Sequence, residues 1–159
     1  MELIKASRED IPTVVSIYES VKRGEFSVWS ETYPTEREAL ADYEAGCLYV
    51  LKEGADFIGC GSVEPVAEDD DLPFWRVNDG THKEVSRIAV SPAYQGRGYA
   101  RVLMELMIKE LRSLGVRSVH LLAAKRNIPA VRTYRSLGFE FVGECFRYGA
   151  DYYACELVL

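Results

Sequence analysis

Apolar residues along the chain change their spacing several times, and each change marks an element. Glu2 to Ala6 alternates polar and apolar positions as a short strand does. Ser7 with Asp10 forms a capping arrangement ahead of a helix that runs to about Lys22, and Pro12 lies too early to break it. Gly24 to Pro34 sets Phe26, Trp29 and Tyr33 among turn formers. Thr35 with Glu38 then offers a capping box for a second helix ending at Gly46. Cys47 to Lys52 and Phe57 to Val63 flank Glu53-Gly54-Ala55-Asp56, the pattern of an antiparallel hairpin.

Pro65 to His82 has neither period, carries Glu68-Asp69-Asp70-Asp71 and Pro73-Phe74-Trp75, and is long for a connection, as functional loops often are. Lys83 to Val90 reads as a strand in which Val85 and Ile88 differ in parity while Ile88 and Val90 agree. An extra residue near Ser86 or Arg87 explains that, and so does burial on both faces. Gly98 to Leu114 lays Val102, Leu103, Leu106, Met107, Ile108 and Leu111 along one helical stripe, closed by Gly115. Ser118 to Ala123 is a short apolar strand and Asn127 to Leu137 a helix closed by Gly138. Phe139 to Phe146 and Tyr152 to Val158 read as strands joined by a tight Tyr148-Gly149-Ala150-Asp151 turn. The order is β-αα-ββ-β-α-β-α-ββ, an α+β chain in which the strand-helix-strand piece from Lys83 to Ala123 requires a parallel pair in a mixed sheet.

The 159 residues, 48% of them hydrophobic, suit one domain, and a chain of this size buries roughly 70% of its unfolded surface without a disulfide or structural metal. Cys47, Cys60, Cys145 and Cys155 lie too far apart for a zinc or redox motif and read as buried thiols. The opening Met-Glu-Leu-Ile-Lys is not a secretory signal and no apolar stretch reaches membrane-spanning length, so a cytoplasmic protein without a membrane partner is expected. A net charge of −6 argues against sequence-independent binding of nucleic acid. The average conceals an asymmetry: Gln95 to Arg135 carries nine basic residues against Glu105 and Glu110, leaving −13 on the rest of the chain. One region is therefore suited to a polyanion, although solvated helix faces also collect Lys and Arg.

Gln95-Gly96-Arg97-Gly98-Tyr99-Ala100 lies between a strand and a long helix, where free N–H groups and the positive helix end can hold an anionic phosphate. Arg97 and Arg101 can add charge-assisted contacts there, and Lys125 with Arg126 supplies further cation. Taken alone, the glycines equally suit a plain turn. Val90 to Ala100 nevertheless resembles the acyl-CoA pyrophosphate motif of the GNAT superfamily of N-acetyltransferases, Gln/Arg-x-x-Gly-x-Gly/Ala, which Gln95, Gly98 and Ala100 match. Asn127-x-x-Ala130-x-x-x-Tyr134-x-x-x-Gly138-Phe139 is similar to the family's second signature at the expected distance. The likeness is good over Lys83 to Phe141 and reaches the whole chain through element order alone.

The resemblance implies a mostly antiparallel sheet of about seven strands, splayed between strands four and five and flanked by four helices. It implies acetyl-CoA as cosubstrate and no metal. Ile88, Ala89 and Val90 would meet the pantetheine arm, with Val90 the first choice for the oxyanion amide. Gln95, Gly96, Arg97, Gly98, Tyr99, Ala100 and Arg101 would hold the diphosphate, with Asn127 and Ala130 beside it. Tyr134 stands where the family protonates the departing thiolate, and Glu84 where some relatives carry a general base, a role for which Asp79, His82 or a water chain compete.

The acceptor, a small amine or a peptide N-terminus, would enter opposite CoA. Trp29, Tyr33, Trp75 and Tyr152 are the chosen contacts, among a wider set of Phe74, Tyr148, Tyr153, Asp69 to Asp71 and Asp151 that ordinary packing would equally explain. A homodimer is compatible with the family. A non-catalytic acyl-CoA sensor is the competing reading. A plain nucleotide-binding domain lacks its acidic ribose residue in Val116 to Ala124.

Overall fold

The computed structural model describes residues 1–64 and 67–159; Pro65 and Val66, where the predicted long loop starts, lie outside the described residues. Strand β1 (Glu2–Lys5) leads into helices α1 (Ile11–Lys22) and α2 (Glu36–Glu44), followed by β2 (Leu48–Glu53) and β3 (Asp56–Val63). Then come β4 (His82–Val90), α3 (Tyr99–Ser113), β5 (Ser118–Ala124), α4 (Ile128–Ser136), β6 (Glu140–Arg147) and β7 (Ala150–Val158). Seven strands form one sheet in the order β1-β2-β3-β4-β5-β7-β6, with β4–β5 the parallel pair and the others antiparallel. The α+β class and the element order agree with expectation.

Local signals account for most boundaries. Thr35 N–H donates to Glu38 Oε2 at 2.7 Å and Arg37 N–H to Thr35 Oγ1 at 3.3 Å, the reciprocal cap expected from the sequence. Ser7 N–H likewise donates to Asp10 Oδ2 at 2.8 Å, and a 3-10 turn at Arg8–Asp10 precedes α1. The last hairpin is tighter than predicted. Arg147 pairs with Ala150, so the turn is Tyr148-Gly149 alone, with φ of 53° and 78°. Positive φ at both positions gives the two-residue turn whose twist matches the flanking strands, and β7 therefore starts at Ala150.

The sheet is covered on both faces. Ile11, Val14, Ile17 and Tyr18 of α1 and Ala39 of α2 pack with Leu48, Val50 and Cys60, while Leu103, Met104, Met107 and Leu111 of α3 pack with Tyr49, Leu51, Ile58 and Val119. Leu48 to Leu51 are all buried because alternate side chains serve opposite layers.

The feature that shapes the rest is in β4. Cys60 pairs with Ala89 but Ser62 with Ser86, so Arg87 and Ile88 together face Gly61 across the pair. This is the bulge read from the parity change, and its residue Arg87 has φ of 50°. Gly61 permits it by close approach: a Cβ there would lie 2.5 Å from Ile88 Cδ1 and 2.7 Å from Met107 Sδ. On its other side β4 meets β5 only at His82, Lys83 and Glu84, opposite Ser118, Val119 and His120. Beyond that point the two strands part.

Arg87 holds the bulge from inside. Its Nε and Nη2 each donate to Asp42 of α2 at 2.9 Å, and Nη1 donates to Glu64 Oε1 at 3.0 Å and Tyr33 OH at 2.8 Å. Ser62 Oγ adds 2.6 Å to Asp42 Oδ2, and Ser86 Oγ adds 2.6 Å to Glu64. The side chains of Arg87 and Asp42 are 6% and 4% exposed. Removing one partner from such a buried pair strands the other, so Asp42→Ala should cost about 3–5 kcal/mol of unfolding free energy. The expected readout is a lower urea midpoint at similar slope; an unchanged midpoint would deny the network that role.

Candidate active site

Gln95 to Arg101 turns the chain from β4 into α3. Gln95 N–H donates to Pro92 O and Val102 N–H to Gly98 O, and among the described residues no acceptor takes the N–H groups of residues 96–101. Gly98 is the N-cap with φ of 82°, a backbone conformation that disfavours any side chain, and a Cβ there would meet nothing within 4 Å. The segment is therefore an open cradle of polarised amides at the head of a 15-residue helix, which fits a diphosphate. Gln95 Nε2 ties it back to Val90 O at 2.9 Å. Arg97 lies over the rings of Tyr94 and Tyr99, and Arg101 pairs with Glu105 at 2.9 Å across an exposed surface.

A groove of about 190 Å³ leads from this cradle between the end of β4 and α4, lined by Ile88, Ala89, Val90, Gln95, Ala100 and Tyr134. Ser91 N–H donates to Ile58 O on β3, so the alternation of the strand turns the Val90 amide toward the edge that β5 has left. Asn127 Oδ1 caps α4 by accepting from Ala130 N–H at 3.3 Å, and both residues line the groove. Tyr134 is buried against Phe139, its ring centroid 5.8 Å away, and burial raises the pKa of its hydroxyl.

The groove continues into the gap between β4 and β5. Tyr134, Ile88, Asn127 and Ala130 also line a cavity of about 120 Å³ there, with Ala123, Ala124, Trp29 and Tyr152. Trp29 and Tyr152 belong as well to a larger cavity of about 490 Å³ that holds Tyr33, Tyr148, Glu64 and Glu84. Trp29, Tyr33 and Tyr152 thus share the side expected for an acceptor. Trp75 does not line it. Its ring stacks on His120 at 4.0 Å and its Nε1 donates to Asp69 O at 2.8 Å, so it is a support beneath the cavity. Phe74 packs under Gly143, where a Cβ would approach its ring to 2.3 Å.

Glu84 is 6% exposed and its Oε2 accepts from the N–H groups of Glu68 and Asp69 at 3.1 and 3.4 Å. Burial, a side-chain hydrogen bond with Asp69 and the Asp69 charge push its pKa up to about 9. Asp69 accepts in turn from Arg147 Nη1 at 2.7 Å and Tyr148 OH at 2.9 Å. Glu64 and Arg147 are site members that the sequence did not single out, whereas Asp69 stood in the wider acceptor set and the fold adds its contact with Glu84. The acidic run Glu68 to Asp71 is the signal that pointed to Asp69.

Of the competing bases, Asp79 caps a turn by accepting from Thr81 Oγ1 at 2.5 Å, away from the cavity. His82, His120 and Asp70 gather within metal-ligating reach, a cluster the linear spacing did not suggest. His82 Nε2 meets Asp70 Oδ1 at 2.8 Å and His120 Nε2 meets Glu156 Oε2 at 2.9 Å. The two rings stack 15° from parallel, which sends their in-plane lone pairs along separate planes. That geometry suits stacking and suits a shared ion poorly.

Among the described residues no helix is long and apolar enough to cross a membrane. The sequence pattern of the acetyltransferase (GNAT) family matches residues 14–139. A mycothiol acetyltransferase of Thermobifida fusca is 42% identical over 66 residues, 42% of this chain and 20% of that protein. This chain thus aligns with about a fifth of that relative's length. The L-methionine sulfoximine/L-methionine sulfone acetyltransferase of Salmonella typhimurium is 27% identical over 153 residues, 92% of this chain and 84% of that protein. The structure of yncA from Salmonella typhimurium, solved with its cofactor acetyl-CoA, superposes with a TM-score of 0.75 at 25% identity over 99% of this chain and 93% of that one. With the family pattern spanning most of the chain, both signatures in place and the sheet parted where an acyl-CoA groove would lie, the chain belongs to the acetyltransferase (GNAT) family.

Proposed function

We propose that this chain transfers an acetyl group from acetyl-CoA to the primary amine of a small molecule or a peptide N-terminus, by direct attack of the amine on the thioester. The observation that carries this reading is the row of unpaired amides at residues 96–101, opening onto a groove that passes Tyr134 and reaches an acid-lined cavity. The amides, with Arg97 and Arg101 nearby, hold the diphosphate, and the free edge of β4 from Ile88 to Val90 receives the pantetheine arm as an added strand would.

As the amine nitrogen bonds to the acyl carbon, the Val90 N–H meets the developing oxyanion. The carbon–sulfur bond then breaks and Tyr134 gives its proton to the leaving thiolate. Burial disfavours the tyrosinate, so the hydroxyl keeps its proton until the thiolate forms beside it and takes it. The proton lost by the amine goes to Glu84, whose raised pKa makes its carboxylate a stronger base than an exposed one. Asp69 keeps Glu84 in that range, and an arriving ammonium group favours the ionised form.

The relative aligned over most of its length acts, by its name, on methionine sulfoximine and methionine sulfone, acceptors whose amine adjoins a carboxylate. The cavity in this chain is lined, among the described residues, by four carboxylate residues and one arginine, which bears on its acceptor.

The reading is tested by CoA release, followed with a thiol reagent over a panel of amines. Amine-dependent release supports transfer, and CoA binding without release would mark a sensor. Tyr134→Phe should lower kcat about 10- to 1000-fold with CoA affinity nearly unchanged; parallel weakening of binding would reassign it to packing. Gly98→Val should abolish CoA binding in calorimetry, because a side chain enters the cradle at a strained φ, and unchanged affinity would reject the diphosphate assignment.

Glu84 gives a prediction of opposite sign in two assays. Its folded pKa lies above the unfolded value of 4.5, so the fold holds a proton that the unfolded chain releases and stability declines as pH rises from 4.5 toward 9. Glu84→Gln should therefore stabilise the protein by at least about 1 kcal/mol at pH 8 while lowering kcat about 10- to 100-fold. With one amine throughout, Asp69→Asn should move the rising limb of kcat/KM to lower pH. An unmoved limb would separate Asp69 from the base.

A further inference from the structure

The 490 Å³ acceptor cavity has one cation among the described residues of its wall, Arg87. That guanidinium is already committed. Four hydrogen bonds go to Asp42, Glu64 and Tyr33, and two carboxylates face its single charge. The next cation out, Arg147, is held in the same way by Asp69 and Asp71. Each cluster is left one negative charge in excess. Glu68 adds another from the exposed rim, and its carboxylate has no hydrogen-bond partner among the described residues. An incoming carboxylate would find repulsion and no unsatisfied guanidinium, at a site where like charges are costly to bring together.

The apolar part of the wall points the same way. Trp29, Tyr33, Tyr148 and Tyr152 supply aromatic rings beside these carboxylates. Ring faces and carboxylates together favour cations over neutral or anionic groups. Tyr148 is fixed there by its hydroxyl on Asp69 and by the two-residue turn, so its placement belongs to the hairpin.

We infer that the acceptor is a small diamine-like molecule, bearing a second positive charge and no carboxylate beside the reacting amino group, and that free α-amino acids are rejected by the acidic wall around a saturated Arg87. The inference rests on the acetyl-transfer reading and narrows its substrate class. The reacting amine lies toward Glu84 and the gap, and the second charge lies toward Glu64 and Glu68 at the opening.

The test uses the whole chain with acetyl-CoA and three probes of similar length: 1,4-diaminobutane, butylamine and L-methionine. The diamine should exceed butylamine in kcat/KM by about tenfold, the factor expected of one partly desolvated charge contact, and L-methionine should be slowest. Raising the salt concentration or introducing Glu68→Gln should narrow the gap between diamine and butylamine. Equal rates for diamine and butylamine would overturn the second-charge claim. Preference for L-methionine would overturn the inference while leaving acetyl transfer standing. CoA binding with no release for any amine would overturn the acetyl-transfer reading and this inference together.

Discussion

One extra residue in β4, and the buried ion pairs that keep it there, govern most of what this fold can do. A regular strand would continue its ladder to β5 and close the sheet. Here Arg87 sits at φ 50°, its side chain driven into Asp42 and Glu64, and the paired stretch between β4 and β5 stops at Glu84. The backbone strain is offset by four charge-assisted or hydroxyl hydrogen bonds in a water-poor setting. The same guanidinium fastens α2 and the loop carrying Tyr33 to the bulge, so one side chain ties the wall of the acidic cavity to the strand that parts from β5.

The parted strands leave room on one side for an extended ligand arm and on the other for an acidic cavity. Tyr134, buried enough to retain its proton, lines the groove and the small cavity in the gap that leads toward the acidic one. Glu84, the last β4 residue still paired with β5, sits where burial and a second carboxyl raise its proton affinity. A buried carboxyl pair of this kind works against the stability of the folded state above its ordinary titration range. Such a feature is commoner at functional sites than in plain cores.

The long loop after β3 serves the site by being pinned down. Glu156 accepts the N–H groups of Arg76 and Val77, along with Ser118 Oγ and His120 Nε2, and Trp75 stacks on His120. Arg147 on the last hairpin then joins Asp69 and Asp71 from the other side. The loop's acidic run is thereby fixed at the cavity mouth, and Trp75, chosen from the sequence as a contact, is spent on holding it.

The sequence by itself determined the elements, their order, both signatures, the helix caps and the parity break that marks the bulge. Each of these is written in residues a few positions apart, where backbone preference and side-chain period act locally. The folded chain alone decided that Asp42 meets Arg87 across 45 residues, that Arg147 meets Asp69 across 78, and that the two histidines stack under Trp75. Those partners are brought together by sheet order and by the path of a loop without periodicity. No spacing along the chain encodes them, because charge pairing and burial depend on distance in space.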